Sequence, residues 1–89
     1  MPERQVTIIN QLGLHARAAA KLVKLANTFH CQVSIGNGQR QVNAKSIMGV
    51  MMLAASRGTD VVLVATGTDE DAALDALENL INERFGEAQ

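Results

Sequence analysis

The 89-residue chain predicts an α+β domain, a two-layer sandwich of order β-α-β-β-α-β-α with all helices on one face of the sheet. Three observations predict it. Apolar residues cluster or alternate over four short stretches, as strands require. Between and after them the apolar spacing changes to steps of three and four, which places those residues on one face of a helix. Gly36-Asn37-Gly38 joins two of the short stretches and supplies residues that accept positive φ, a strong hairpin signal. Helices interleaved with a sheet that contains a hairpin pack in two layers. No linker, repeat or low-complexity segment interrupts the pattern, so residues 1–89 are expected to form a single domain.

Arg4 to Asn10 reads as the first strand, with Val6 and Ile8 on one face and Gln5, Thr7 and Ile9 on the other. Gln11-Leu12-Gly13 breaks it. A helix is expected from Ala16 to about Phe29, with Ala19, Leu22, Val23, Ala26 and Phe29 as its apolar stripe and Lys21 and Lys24 off it. The alanines of its first turn favour the helix intrinsically. Cys31, Val33 and Ile35 alternate with Gln32 and Ser34 as a second strand, and Gln39 to Val42 forms a short return strand polar enough for a sheet edge. Ile47 to Ala55 is a compact apolar helix with Ser46 as N-cap and Gly58 closing it. Asp60 to Thr66 holds the run Val61-Val62-Leu63-Val64, expected at a central position, and Gly67 ends it. Thr68 or Asp69 caps a last helix whose apolar positions are Ala73, Leu74, Leu77, Leu80, Ile81 and Phe85, with acids in its first turn.

Composition removes several function classes. The chain has no Trp or Tyr and two Phe, both at core-type positions, so bases have no aromatic platform to stack on. A net charge of −1 without a basic block argues further against nucleic acid and anionic membranes. One cysteine, Cys31, forms no intramolecular disulfide and reads as a small core residue; with two histidines it cannot complete a Cys/His metal site. No metal and no cofactor is expected. No segment reaches membrane-spanning length and none has the form of a secretory leader, so the expected location is the cytoplasm. His30 reads as an ordinary cation at a helix-to-strand junction.

The chemistry gathers at Gly13-Leu14-His15-Ala16-Arg17-Ala18-Ala19-Ala20. A glycine turn presents a histidine at a helix N-terminus, where orphan N–H groups and the helix dipole favour anions. Two readings fit the turn alone. His15 is a solvent-exposed cap, although Ser, Thr, Asp and Asn serve better, or it is a phosphoryl acceptor whose neutral imidazole attacks while Arg17 and the helix amides hold the phosphoryl oxygens. Arg17 has its own plain reading, a solvated helix residue.

Taken with Lys45-Ser46-Ile47-Met48-Gly49-Val50-Met51-Met52-Leu53 in the second helix and the order of elements, the Gly13–Arg17 motif resembles the HPr family of bacterial phosphocarriers over essentially the whole chain. The resemblance implies a four-stranded antiparallel sheet covered by three helices, an open-faced sandwich. It implies a carrier, not an enzyme, which takes a phosphoryl group from enzyme I, charged by phosphoenolpyruvate, and passes it to enzyme IIA proteins. By position the phosphorylated histidine is His15, its arginine partner Arg17, and the serine that a dedicated kinase modifies in some bacteria Ser46. One residue departs: the family's usual motif has proline where this chain has Ala18. Proline suits a first helical turn; alanine keeps the helix and leaves both the sugar-uptake branch and the nitrogen-related branch, NPr, open.

The second helix is apolar nearly all round, more than one sheet face can cover. Ile47, Met48 and Met51 are expected as an exposed, adaptable patch near the His15 turn; the plainer alternative is that Met51 and Met52 fill core gaps. The resemblance extends the patch into a partner-docking surface with Leu14, Ala20, Lys24 and Arg17, on a protein expected to be monomeric. An alternative function is a regulatory interaction domain that works through Ser46 and the Met-rich helix without phosphoryl relay. A hydrolase with His15 as base lacks any nucleophile or oxyanion partner in the motif, and no phosphate-binding loop is present.

Overall fold

Alternation decides which side of the sheet is covered. In the computed structural model, which describes residues 2–88, the strands are β1 (Glu3–Thr7), β2 (Gln32–Gly36), β3 (Gln41–Asn43) and β4 (Asp60–Thr66). Val6, Val33, Ile35, Val61, Leu63 and Ala65 point into the core, while Glu3, Gln5, Gln32 and Gln41 face solvent. The helices α1 (Ala16–Ala26), α2 (Ile47–Leu53) and α3 (Glu70–Asn82) bury Leu22, Val50, Leu74, Leu77 and Ile81 with those strand residues. The opposite sheet face stays open. All three strand pairs are antiparallel, in the order β1-β4-β2-β3. The expected architecture is therefore present, with β3 at an edge and β4 inside.

β4 differs from a strand buried on both sides. Val62 and Val64 lie on the open face and are half-buried, flanked in register by Gln5 and Glu3 of β1 and by Gly36 and Ser34 of β2. Its unbroken apolar run reflects a central position in an antiparallel sheet, where neighbouring side chains shield the valines.

Element ends depart from expectation for local reasons. β1 stops at Thr7, although Ile8 still donates to the Thr59 carbonyl and accepts from Gly58. Asn10 has left the strand to open a turn, its carbonyl taking the Gly13 N–H at 3.1 Å. α1 ends at Ala26, short of Phe29, where Asn27 donates from Nδ2 to the Val23 carbonyl and Thr28 from Oγ1 to Leu25; each adds a side-chain bond to a last-turn carbonyl that also takes a backbone N–H. Phe29 packs partly buried on the core from outside the helix. The hairpin loop takes Gln39 and Arg40 out of β3: both amides donate to Asn37 Oδ1 at 3.1 Å, an Asx-type turn.

α2 ends at Leu53, two residues before the expected Ala55. Ala54 takes the left-handed conformation (φ 53°) as its C-cap, and Ala55 turns inward, buried, with its carbonyl accepting from Leu14 N at 2.9 Å. Asp69 occupies the N-cap position of α3, yet its side chain does not cap that helix. It accepts instead from the N–H groups of His30 (2.8 Å) and Cys31 (2.9 Å), which ties the start of α3 to the start of β2. Glu70 accepts from Gly67 N in its place, at 3.0 Å. Phe85 is not on the stripe of α3: it sits in a separate 3-10 turn, Arg84–Gly86, and is wholly buried there. Arg4 holds α3 to β1 through Asp75 (2.8 Å) and Glu78 (2.7 Å).

Candidate phosphoacceptor site

The turn that carries His15 is built from Asn10 and Gly13. Gly13 has φ +67°, and a Cβ there would stand 2.7 Å from the Ala55 carbonyl oxygen and 2.8 Å from Ser56 Cα. Only glycine fits. Asn10 is the one polar side chain among the described core residues, fully buried. Its Nδ2 donates to the Gly13 carbonyl at 2.8 Å and to Glu87 Oε1 at 2.9 Å. Two acceptors on one nitrogen settle which way this amide points.

His15 is the N-cap of α1, with extended backbone (φ −73°, ψ 177°). Its Nδ1 accepts from the Arg17 backbone N–H at 3.3 Å. An amide N–H only donates, so Nδ1 presents a lone pair and the ring proton sits on Nε2. Nε2 in turn meets Glu87 Oε2. The site therefore holds a neutral imidazole whose unprotonated nitrogen faces the amides of a helix start, the arrangement a phosphoryl acceptor needs.

Glu87 is the functional neighbour that sequence reasoning missed. It lies 72 positions from His15, and no local pattern announces such a contact. Its carboxyl is held below the usual carboxylate range, first by the Asn10 hydrogen bond and further by His15 and the nearby charge of Arg17. Asn10 carried a readable signal: Asn at the first and Gly at the fourth position is ordinary β-turn chemistry. Arg17 itself is exposed, and its charge is felt by Glu87. Ala18 is the third residue of α1 and wholly buried, one position ahead of Ala19, whose N–H donates to the His15 carbonyl at 2.8 Å.

The remaining predicted residues divide into two groups. Ile47 (47% exposed), Met48 (75%) and Met51 (44%) lie open to solvent on α2, joined by Met52 (60%), which is no core filler. Together they line a shallow, almost wholly apolar depression. Ala20 and Lys24 are exposed on α1. Leu14 is different: it is 5% exposed and belongs to the core. α1 and α2 run antiparallel, because Leu14 N bonds Ala55 O at the α1 start and Asn27 Nδ2 bonds Lys45 O at its end. Ser46 caps α2 through Oγ, accepting from Gly49 N at 3.2 Å. It thus lies beside the far end of α1, about 16 Å along an 11-residue helix from His15. The structure does not bring the two together. Cys31 is buried, and burial pushes its thiol pKa up, which keeps it unreactive.

A family model described as the PTS HPr component phosphorylation site matches residues 2–83. The chain belongs to the HPr family. Phosphocarrier protein HPr of Cupriavidus necator is 58% identical over 89 residues, all of both chains. Phosphocarrier protein NPr of Shewanella violacea is 48% identical, over 97% of this chain and 94% of that one. The crystal structure of HPr-C-His from Thermoanaerobacter tengcongensis superposes with a TM-score of 0.96 at 46% identity, covering 100% of each chain. An HPr dimer from the same organism gives 0.78 at 47%, covering 98% and 100%. Glu87 lies beyond the stretch the HPr family model matches.

Proposed function

We propose that this chain is a phosphocarrier of the phosphotransferase system, a carrier and not a catalyst, which accepts a phosphoryl group on His15 Nδ1 from enzyme I and passes it to enzyme IIA proteins. The observation that carries the reading is the hydrogen bond from Arg17 N to His15 Nδ1. It makes Nδ1 the nucleophile and places it where helix amides and the dipole receive the phosphoryl oxygens once bonded. Arg17, exposed in the first turn of α1, adds its charge to hold the phosphoryl oxygens. All these groups come from a single chain, which supports action as a monomer; the proposed location is the cytoplasm.

The apolar face of α2 with Ala20, Lys24 and Arg17 supplies the docking surface for both partners, and methionine lets one face fit two shapes. Phosphorylation of Ser46 by a serine kinase would add a dianion at that surface. It stands more than a Debye length from His15, about 8–10 Å, so it would act on docking and leave the ring's chemistry alone. A regulatory role without relay is not favoured, because it leaves the His15 geometry without a purpose.

Incubation with enzyme I and phosphoenolpyruvate tests the reading. The chain takes up one acid-labile, base-stable phosphate, and His15→Ala takes up none; a label that persists in His15→Ala, or its failure to appear beside an active control carrier, contradicts it. Labelling rates with the sugar-type and nitrogen-type enzyme I assign the branch.

A further inference from the structure

Sulfur is unevenly placed in this chain, which has four methionines and one cysteine. Met48, Met51 and Met52 fall within a single stretch of α2, and spacings of three and four put them on one face of that helix. All three are open to solvent and, with Ile47, line the apolar depression. The thiol is the reverse case. Cys31 is buried, and burial pushes its pKa up, so it offers an oxidant neither access nor thiolate. Val50 and Leu53, both buried, anchor α2 to the core, so the place of the helix in the fold rests on them rather than on the methionines. The acceptor ring lies outside the patch, at the start of α1.

We infer that Met48, Met51 and Met52 form a modification site: reversible oxidation by a peroxide turns the face of α2 from apolar to polar and weakens the docking of partners. The inference rests on α2 as the docking surface for the phosphoryl donor and acceptor proteins. In the step, a lone pair of the thioether sulfur bonds one oxygen of hydrogen peroxide. The O–O bond breaks with its electron pair on the departing hydroxide, which then takes the proton from the oxygen left on sulfur. Sulfoxide and water result; sulfur has lost two electrons and the peroxide has gained them. A reductase that draws on a dithiol returns the two electrons and restores the thioether. The sulfoxide oxygen is a hydrogen-bond acceptor, and the side chains lining the depression are all apolar, with no donor to meet it. A partner that covers the face would leave that oxygen unpaired or lose its fit. The adaptability that suits methionine to docking thus comes with a chemistry that switches docking off. The Nδ1 lone pair and the helix amides involve no sulfur, so oxidation acts on KM and leaves kcat alone.

Peroxide treatment of the full chain, followed by peptide mass mapping and labelling by enzyme I, tests this. Oxygen is expected on Met48 and Met52 before Met51, in order of exposure, with Cys31 still a thiol. The oxidised chain keeps its urea midpoint and its kcat. Its KM as a substrate of enzyme I rises about tenfold or more, the scale for covering a polar group that has no partner. The two epimer-specific methionine sulfoxide reductases bring the KM back. In a chain carrying Met48→Leu, Met51→Leu and Met52→Leu, whatever its own KM, peroxide causes no further rise. Sulfoxides on all three residues with an unchanged KM overturn the inference. So does a rise that persists in the leucine variant, or oxygen that reaches Cys31 before the methionines. Met48→Asp in the untreated chain separates the two readings. An unchanged KM there refutes α2 as the docking surface, whereas a KM raised by Met48→Asp but not by oxidation sinks the present inference alone.

Discussion

His15 is pulled in two directions, and both are visible in its hydrogen bonds. The Arg17 amide requires a lone pair on Nδ1, and the Glu87 carboxylate requires a proton on Nε2; together they select one neutral tautomer. The motif residues of this site were legible in the sequence because they are local: a glycine turn, a histidine and a helix start lie within five positions. Asn10 reads as the end of the first strand; with Gly13 it carries a turn signal that the strand reading passes over, and its bond to Glu87 has no local signal. Glu87 was not legible, since the contact depends on a chain reversal that no periodicity encodes. Gly13 is the residue whose loss would damage the site most through the backbone. Gly13→Ala forces a left-handed alanine and a Cβ 2.7 Å from the Ala55 oxygen. A destabilisation of about 2 kcal/mol or more is expected, read from the midpoint of urea unfolding.

At the scale of elements, the faces were readable and the ends were not. The stripe of α1 was correct at Ala19, Leu22, Val23 and Ala26, because burial follows periodicity over three turns. Its end was misplaced by Phe29, an apolar residue at helical spacing that packs from a loop, while the true stop lay in Asn27 and Thr28. α2 shows the same contrast. Ala54 carries the left-handed C-cap (φ 53°) that glycine usually takes, so its sequence lacks the stop signal. Ala54 is exposed, and Ala54→Gly should stabilise the protein by about 0.5–1 kcal/mol, a rise measurable by thermal unfolding. Asp69 looked like a cap and is a clamp between α3 and β2. Its pKa is lowered below 3.8, first by the His30 backbone hydrogen bond. A carboxyl with a depressed native pKa adds stability above its unfolded value, and that stability is lost as pH falls through the native one. Asp69→Asn should therefore lower the melting temperature at pH 7, with the gap to wild type closing below pH 3.8.

For the whole molecule, the fold class followed from alternation, the hairpin, two amphipathic helices and one apolar one, because a two-layer sandwich is the way those faces bury one another. The sequence did not reveal that the last residues complete both core and site. Phe85, fully buried, fills the core beside α1 and α3 and positions the segment that carries Glu87. Phe85→Ala should cost about 3–5 kcal/mol, a large share of the roughly 5–15 kcal/mol that holds such a domain, and a denaturant titration reads it directly. The same substitution should slow labelling at temperatures where the fold persists, since Glu87 loses its anchor. The face of α2 asks nothing of this core; Met48 and Met52 stay in solvent, available to partners.

The central claim is chemical: the phosphoryl group goes to Nδ1 of His15 at the start of α1. 31P and 15N spectra of the chain charged by enzyme I and phosphoenolpyruvate test it most directly. The geometry predicts a single phosphoramidate signal, coupled to Nδ1 of His15 and absent in His15→Ala. Phosphate on Nε2, on another residue, or on none contradicts it.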